Sequence, residues 1–140
     1  MKVTNNPQVY MEPGTYYVGD LCYVLNDSWD EFCEITIKGE ECLNGGFRFK
    51  DGREFVSFQT IWGDGNYLDE EGFGYPVDAG LIGCVRVEDM DCTIDEVGDS
   101  GNVRVFTKPF VCEKVGSILY FGKVAIDLDP TDEEEYDDEY

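Results

Sequence analysis

Three aspartates of this sequence stand beside glycines, and their side chains are the most direct candidates for chemistry. They are Asp20 in Gly19-Asp20, Asp64 in Gly63-Asp64-Gly65, and Asp78 in Asp78-Ala79-Gly80. Brought together by a fold, the three carboxylates form a pocket that can hold a divalent cation or act as an acid–base pair. The alternative is structural, because Asp bonds to nearby backbone in turns and Gly supplies positive φ.

The residue types exclude several other kinds of site. The chain has no histidine, which excludes nucleophile–histidine catalysis and leaves a zinc site only scattered thiolates as ligands. No Cys-x-x-Cys spacing occurs, and no glycine-rich phosphate loop opens a helix. We therefore expect no metal and no cofactor, and reduced thiols that serve as small core residues. The six cysteines are Cys22, Cys33, Cys42, Cys84, Cys92 and Cys112.

Acidity is the strongest compositional feature of the chain. There are 31 Asp and Glu against 10 Lys and Arg, which gives a net charge of −21. Such a field repels nucleic acid and anionic membranes and attracts basic protein surfaces, so we expect neither nucleic acid nor a membrane as a direct partner. Residues 1–126 alone hold 22 acidic and 10 basic residues, so a folded body without its last residues is still acidic.

The charge favours a binding protein, not an enzyme, as the first functional hypothesis. Ordered carboxylates can occupy the Lys and Arg clusters with which proteins grip nucleic-acid phosphates. The predicted partner is a basic protein surface, for example that of a host nuclease or another nucleic-acid-binding defence enzyme. Candidate partner-binding residues lie on acidic segments that we expect to be exposed: Asp27, Asp30, Glu31, Glu34, Asp69, Glu70, Glu71, Glu88, Asp89 and Asp91.

The pattern of short apolar runs and turn signals predicts a mainly β, α+β fold. Many short strands separated by turns every eight to twelve residues favour an antiparallel β-sandwich or small barrel with one packed helix. Asp51-Gly52 predicts a tight hairpin with positive φ at both positions. Strands are expected over 15–18, 21–25, 47–50, 53–58, 75–78, 81–87, 92–97, 102–107, 110–114, 117–121 and 123–126, with residues 1–12 and 63–74 irregular.

The single predicted helix begins after Ser28, which has Glu31 at the capping-box spacing, and ends at Gly39. We expect residues 1–126 to form one domain, and residues 127–140, with nine acidic and no basic residues, to form a disordered tail. The N-terminus shows no apolar signal-peptide region, and no segment has the length of a membrane span. The expected location is therefore cytoplasmic.

Three motifs together carry a resemblance to known proteins. They are Gly19-Asp20-Leu21-Cys22-Tyr23-Val24, Gly63-Asp64-Gly65-Asn66-Tyr67 and the run from Val77 to Gly83, VDAGLIG. The pattern is similar to that of a group of small, largely uncharacterised proteins from bacteria and their phages, over roughly residues 13–85. The resemblance implies a compact β fold and a phage origin, which places the expected partner in the cytoplasm of the host. It implies no activity.

Two other functions remain open beside the acidic nucleic-acid mimic. A small enzyme or ligand-binding module would use the three glycine-flanked aspartates with aromatic neighbours such as Tyr23, Trp62 and Tyr67, which suit a base or a sugar. A virion accessory protein without separable activity is the third possibility. The mimic predicts one continuous acidic face, whereas the enzyme predicts that Asp20, Asp64 and Asp78 converge on one pocket.

Overall fold

The computed structural model describes residues 7–61 and 63–129, and β-structure dominates that part of the chain. One α-helix, α1 (Trp29–Thr36), and four short 3-10 turns (Leu21–Tyr23, Asn26–Ser28, Val87–Asp89, Ile94–Glu96) accompany the strands. The strands are β1 (Val9–Met11), β2 (Gly14–Gly19), β3 (Ile37–Lys38), β4 (Glu41–Cys42), β5 (Gly45–Arg48), β6 (Glu54–Gln59), β7 (Gly65–Asp69), β8 (Gly74–Val77), β9 (Leu81–Arg86), β10 (Gly101–Phe106), β11 (Phe110–Val115), β12 (Ile118–Phe121) and β13 (Val124–Asp127).

Two antiparallel sheets face each other. The six-stranded sheet has the order β1-β11-β12-β13-β7-β8, and the five-stranded sheet has the order β10-β2-β9-β6-β5. Strands β3 and β4 form a separate small hairpin after the helix. The prediction of a mainly β, antiparallel sandwich with a single packed helix is confirmed.

The main core lies between the two sheets and follows from the two-residue period of a strand. In β2, Tyr16 and Val18 point into this core, whereas Tyr17 points to the opposite side of the sheet. The Tyr16 ring meets Phe110 of the six-stranded sheet edge-on, with ring centroids 5.1 Å apart. Aromatic residues therefore span the space between the sheets.

A second apolar cluster covers the outer side of the five-stranded sheet. Tyr17, Phe55 and Val85 from the strands pack there against residues of α1 and the 3-10 turns. Phe32 of α1 stacks on Phe55 with centroids 4.8 Å apart, and Trp29 stacks on Phe32 at 4.3 Å. The molecule thus has three layers, namely helical cover, five-stranded sheet and six-stranded sheet.

The hairpin between β5 and β6 forms where Asp51-Gly52 predicts it, but with a different turn. No residue other than glycine has positive φ in the described chain, and Gly52 has φ 101°. Phe49 N–H donates to the Arg53 carbonyl at 2.8 Å, and Gly52 N–H donates to the Phe49 carbonyl at 3.0 Å. The loop therefore has three residues with its glycine at the positive-φ position, so the expectation of positive φ at Asp51 is wrong.

Two predicted strands are 3-10 turns instead. Within residues 21–25 a 3-10 turn forms directly after β2, because the Asp20 carboxylate accepts the Cys22 N–H at 2.9 Å and caps Leu21–Tyr23. Residues 92–97 turn because Thr93 and Glu96 form a reciprocal capping box around Ile94–Glu96. At both places the side-chain hydrogen bonds stabilise a turn in preference to a paired strand. Strand β10 pairs with β2, from Gly101↔Gly19 to Phe106↔Gly14.

Two segments expected to be irregular contain strands. Val9–Met11 pairs with β11, and Gly65–Asp69 pairs with both β8 and β13. The second strand was obscured by the glycines and acidic residues in and around it, although Tyr67 and Asp69 point inward and are buried. These two segments form strands because they pair with neighbouring strands, although their local sequence has little strand propensity.

The helix and the chain end also differ from the prediction. Helix α1 ends at Thr36, because Ile37–Lys38 enters the small hairpin with Gly39 in its turn at φ 65°. No side-chain hydrogen bond from Ser28 caps the helix. Strand β13 includes Asp127, and Leu128 is buried, so both belong to the folded body and not to the predicted tail. Residues 130–140 of that tail lie outside the described residues.

Candidate functional site

The acidic charge of the described chain is concentrated in one layer. We call the helical layer with its small hairpin, residues 20–42 and 87–99, the acidic cover. It contains 13 acidic residues and one basic residue, Lys38. The other described residues hold 11 acidic and 8 basic residues. The cover therefore accounts for −12 of the −15 net charge of residues 7–129.

Apolar anchors fix the cover to the sheet and leave most of its acids outside. Leu21, Leu25 and Phe32 are almost completely buried against the outer side of the five-stranded sheet, and Val97 anchors the second segment. In α1 the period of 3.6 residues turns Phe32 inward and leaves Asp30 exposed. The carboxylates thus project from a rigid surface.

A polar network joins the two segments of the cover. Asp91 N–H donates to the Val24 carbonyl at 2.8 Å, and Asp91 Oδ2 accepts the Ser28 N–H at 3.0 Å. Arg53 of the hairpin loop reaches the same place, donating to Asp91 Oδ1 at 3.1 Å and to Ser28 Oγ at 2.8 Å. Arg53 also donates to the Asp89 carbonyl at 3.0 Å. Asp91 therefore stabilises the cover and is not a free surface charge.

The cover brings together seven of the ten predicted partner-binding residues, but not all of them are free to bind a partner. Glu31 is half-buried and accepts the Lys50 N–H at 2.7 Å. Asp89 is half-buried, and burial followed by repulsion from Glu88 raises the pKa of its carboxyl group. Within the cover, the exposed members of the predicted set are Asp27, Asp30, Glu34 and Glu88.

The sequence analysis missed five further acids of the cover. They lie in the small hairpin and around the second capped turn, and all are exposed: Glu40, Glu41, Asp95, Glu96 and Asp99. The available signal was their position in turn-forming segments, in which Lys38 is the one basic neighbour. Their connection to the cover became recognisable only when helix α1, which leads into the hairpin, and Val97, which follows the second turn, were found packed on the same side of the five-stranded sheet.

The other three predicted acids lie away from the cover, at the end of β7 and the turn that follows. Glu70 and Glu71 are exposed, whereas Asp69 is buried, so the predicted exposure of Asp69 is wrong. Asp69 Oδ2 accepts hydrogen bonds from the Tyr75 hydroxyl and from Arg104, both at 2.7 Å. Asp69 Oδ1 accepts the N–H groups of Glu71 at 2.9 Å and Phe73 at 3.0 Å.

This network sets the protonation of Asp69. Burial opposes its ionisation, but hydrogen bonds from Tyr75, Phe73 and Glu71 and the charge of Arg104 outweigh burial and lower its pKa. Asp69 is thus a structural carboxylate that links β7, β8 and β10. A cleft of about 360 Å³ opens beside it, lined in part by Val105, Phe106 and Lys123.

The glycine-flanked aspartates are only partly brought together. Asp20 is completely buried, and its Oδ2 accepts the N–H groups of Asp78 and Ala79, both at 2.6 Å. Asp78 approaches it through its backbone, while its side chain is exposed. The geometry corresponds to a carboxylate that holds a turn, with its oxygens occupied by N–H donors.

The Asp64 turn lies beside the Asp78–Gly80 turn, but its carboxylate is exposed. Thr60 connects the two turns, since its hydroxyl donates to the Gly63 carbonyl at 2.8 Å and its N–H donates to the Gly80 carbonyl at 3.0 Å. The Tyr67 hydroxyl also donates to the Gly63 carbonyl, at 2.9 Å. Among the described residues, no group of three or more Cys, Asp or Glu side chains has an arrangement that could hold a metal ion.

Fold and site together define an antiparallel β-sandwich with one acidic, helix-covered side. No family model, no curated protein and no solved structure matches the chain. Within residues 7–61 and 63–129, no helix is long and apolar enough to cross a membrane.

Proposed function

We propose that this protein binds a basic surface of a partner protein through the acidic cover. The observation that carries the proposal is the separation of charge, with 13 acidic residues and one basic residue on this layer. A field of one sign speeds the encounter with an oppositely charged surface. The exposed carboxylates of Asp27, Asp30 and Glu34 take the place of phosphates in the partner's Lys and Arg cluster.

The partner class is a nucleic-acid-binding enzyme, and the protein acts on it as a nucleic-acid mimic. The resemblance to bacterial and phage proteins suggests a host nuclease or another defence factor. Rigidity supports this mode of inhibition, because a surface anchored by Leu21, Phe32 and Val97 needs little ordering when it binds. Binding is expected to exclude nucleic acid from the partner.

The experiment captures host-cell proteins on the immobilised full chain and then tests each captured protein in purified form. The cover variant carries Asp27→Asn, Asp30→Asn and Glu34→Gln. The control variant carries Glu12→Gln, Asp64→Asn and Glu70→Gln, which removes the same charge from exposed residues outside the cover. We expect the cover variant to lose the partner and the control variant to keep it.

Salt and competition provide the decisive readouts. Affinity for the purified partner should fall steeply as salt rises, because exposed charges are screened over about 8 Å at physiological ionic strength. Duplex DNA or RNA should displace the partner in proportion to its own affinity. Equal losses in the two variants would mean that total charge matters and the cover does not, and affinity independent of salt would exclude an electrostatic mechanism.

A further inference from the structure

Two lysines at one end of the β-sandwich differ from the other basic residues of the chain. All four arginines make ion pairs with acidic side chains. Lys108 and Lys123 are exposed, and neither ammonium group has a hydrogen-bond or ion-pair partner within residues 7–61 and 63–129. Lys108 lies in the turn between β10 and β11, and Lys123 lies in the turn between β12 and β13. They therefore present two unpaired positive charges on a chain whose net charge is −21.

Both lysines line one groove, which has a volume of about 510 Å³ and no acidic residue in its lining. The apolar part of this lining includes Phe106 and Phe110, whose rings stack with their centroids 3.8 Å apart. Val105 also lines the groove and is 70% exposed. Binding sites commonly combine an apolar surface with a few polar groups that fix the orientation of the ligand. The groove therefore suits a ligand that carries both carboxylates and aromatic rings.

The chain itself contains a segment of this composition. Residues 136–140, which we call the tail segment, have the sequence YDDEY, with three acidic residues between two tyrosines. No other run of five residues in the sequence combines three acidic with two aromatic residues. A tyrosine ring can cover an apolar surface while its hydroxyl stays in water, and carboxylates can pair with exposed lysines. The tail segment thus matches the groove in both charge and apolar character.

The chain after β13 is long enough to bring the tail segment to the groove. Leu128 is still attached to the folded body, because its N–H donates to the Ser117 carbonyl at 2.8 Å. Asp129 is six positions beyond Lys123, which corresponds to about 20 Å at the rise of a strand. Tyr136 is seven positions beyond Asp129, and seven extended residues can span about 23 Å back along the sheet. The tail segment can therefore reach the groove, whereas the first residues after Asp129 cannot.

We propose that the tail segment docks in this groove of its own chain, with its carboxylates at Lys108 and Lys123 and a tyrosine ring on Phe106. Exposed ion pairs are individually weak. A short tether compensates for this weakness, because it holds the segment near the groove at an effective concentration in the millimolar range. Burial of the tyrosine ring against the apolar lining adds a hydrophobic contribution that does not depend on salt screening.

The charge of the protein favours its own tail segment over a separate acidic molecule as the occupant. A net charge of −21 repels any free acidic partner, and a second copy of this chain carries the same charge. The tether overcomes this repulsion for the segment of the same chain. Docking is also independent of the proposed function, since neither Lys108 nor Lys123 belongs to the acidic cover. Failure of either proposal therefore leaves the other unchanged.

Zero-length cross-linking with a carbodiimide tests the docking, because the reagent joins a lysine amine to a carboxylate in contact with it. A mixture of unlabelled and isotope-labelled full chain is cross-linked at low and at high salt and analysed by mass spectrometry. We expect links within one chain from Lys108 and Lys123 to residues 137–139, at a yield at least about tenfold above that of Lys50. Lys50 is the internal control, because it is exposed and equally unpaired within the described residues but lies in the β5–β6 loop, outside the groove. High salt should lower the yield.

Substitutions of the lysines give a second readout in the full chain. Lys108→Gln combined with Lys123→Gln should shift the backbone amide resonances of residues 136–140 towards their positions at high salt, and Lys50→Gln should leave them unchanged. Absence of links at low salt, an equal yield at Lys50, or resonances that do not respond to the double substitution would overturn the proposal. Links formed chiefly between chains would also overturn it, because they would assign the groove to a second copy.

Discussion

Asp20 holds the backbone of Asp78 at the corner where the chain passes from the six-stranded to the five-stranded sheet. The Asp78 N–H donates to Asp20 Oδ2 at 2.6 Å, and the Ala79 N–H does the same. Asp78 directly follows β8 of one sheet, and Leu81 begins β9 of the other. Asp20 itself directly follows β2, which pairs with β9. One buried carboxylate therefore ties the crossover to the sheet that the chain is about to enter.

We predict that Asp20→Asn destabilises the fold by about 2 kcal/mol. The amide NH₂ group of Asn replaces one carboxylate oxygen, so the backbone N–H groups that this oxygen accepts are left buried without an acceptor. Asp64→Asn and Asp78→Asn remove exposed carboxylates and should each change stability by less than about 0.5 kcal/mol. Urea denaturation of the three variants measures these effects. A stable Asp20→Asn protein would contradict the role of the carboxylate in the corner. Loss of divalent-cation binding in Asp64→Asn would restore the case for a pocket of three aspartates.

Asp69 should make the fold sensitive to acid. Its pKa is lower in the folded protein than in the unfolded chain, so its stabilisation is complete above the unfolded value and is lost as pH falls through the folded value. Asp69→Asn should lower the free energy of unfolding by about 3 kcal/mol at neutral pH, because Arg104 loses its buried partner. This loss should become smaller in acid, where the carboxyl group of the wild-type protein is itself protonated. Urea denaturation at neutral and acidic pH measures this destabilisation, and Glu70→Gln, at an exposed neighbouring residue, is the control. A destabilisation that does not change with pH would contradict the role of the Asp69 carboxylate.

Two serines should respond in opposite directions to the same substitution. The Ser57 hydroxyl is buried in β6 without a hydrogen-bond partner, so Ser57→Ala should be neutral or stabilise the fold by up to about 1 kcal/mol. The Ser28 hydroxyl accepts a hydrogen bond from Arg53, so Ser28→Ala should destabilise it by about 1 kcal/mol. Thermal unfolding of both variants gives the comparison. A destabilising Ser57→Ala would indicate an ordered water or an alternative rotamer at this site.

The cysteines should react with an alkylating reagent in a defined order. Cys42 is exposed, whereas Cys84 and Cys112 are completely buried between the sheets with their sulfur atoms 3.9 Å apart. Burial raises the pKa of Cys84 well above its usual range, and burial followed by the charge of Asp20 raises that of Cys22 to about 12. Mass spectrometry after brief alkylation should find Cys42 labelled first and Cys84 and Cys112 last. Early labelling of Cys84 would contradict the packing of the main core.

The sequence predicted the parts of the fold that depend on local pattern. Alternation of apolar residues identified most strands, including the β5–β6 hairpin and the run from Phe110 to Ile126, and helical spacing identified α1. The strand prediction failed at Leu21–Tyr23 and Ile94–Glu96, where capping side chains impose turns on segments with apolar residues. The prediction also failed at Gly65–Asp69, where glycines and acidic residues in and around the segment concealed a strand that pairs with two neighbouring strands.

The sequence by itself determined composition, fold class and the total charge of −21, because these follow from residue types and short-range periodicity. Only the tertiary structure decided where that charge lies and which carboxylates are already used. Asp69 and Asp91 stand in acidic runs like their neighbours, yet Arg104 and Arg53, distant in sequence, pair with them. Residues 20–36 and 87–99 lie on one side of the five-stranded sheet because their apolar side chains pack there. Such long-range pairings depend on the complete fold and have no signature in a local segment.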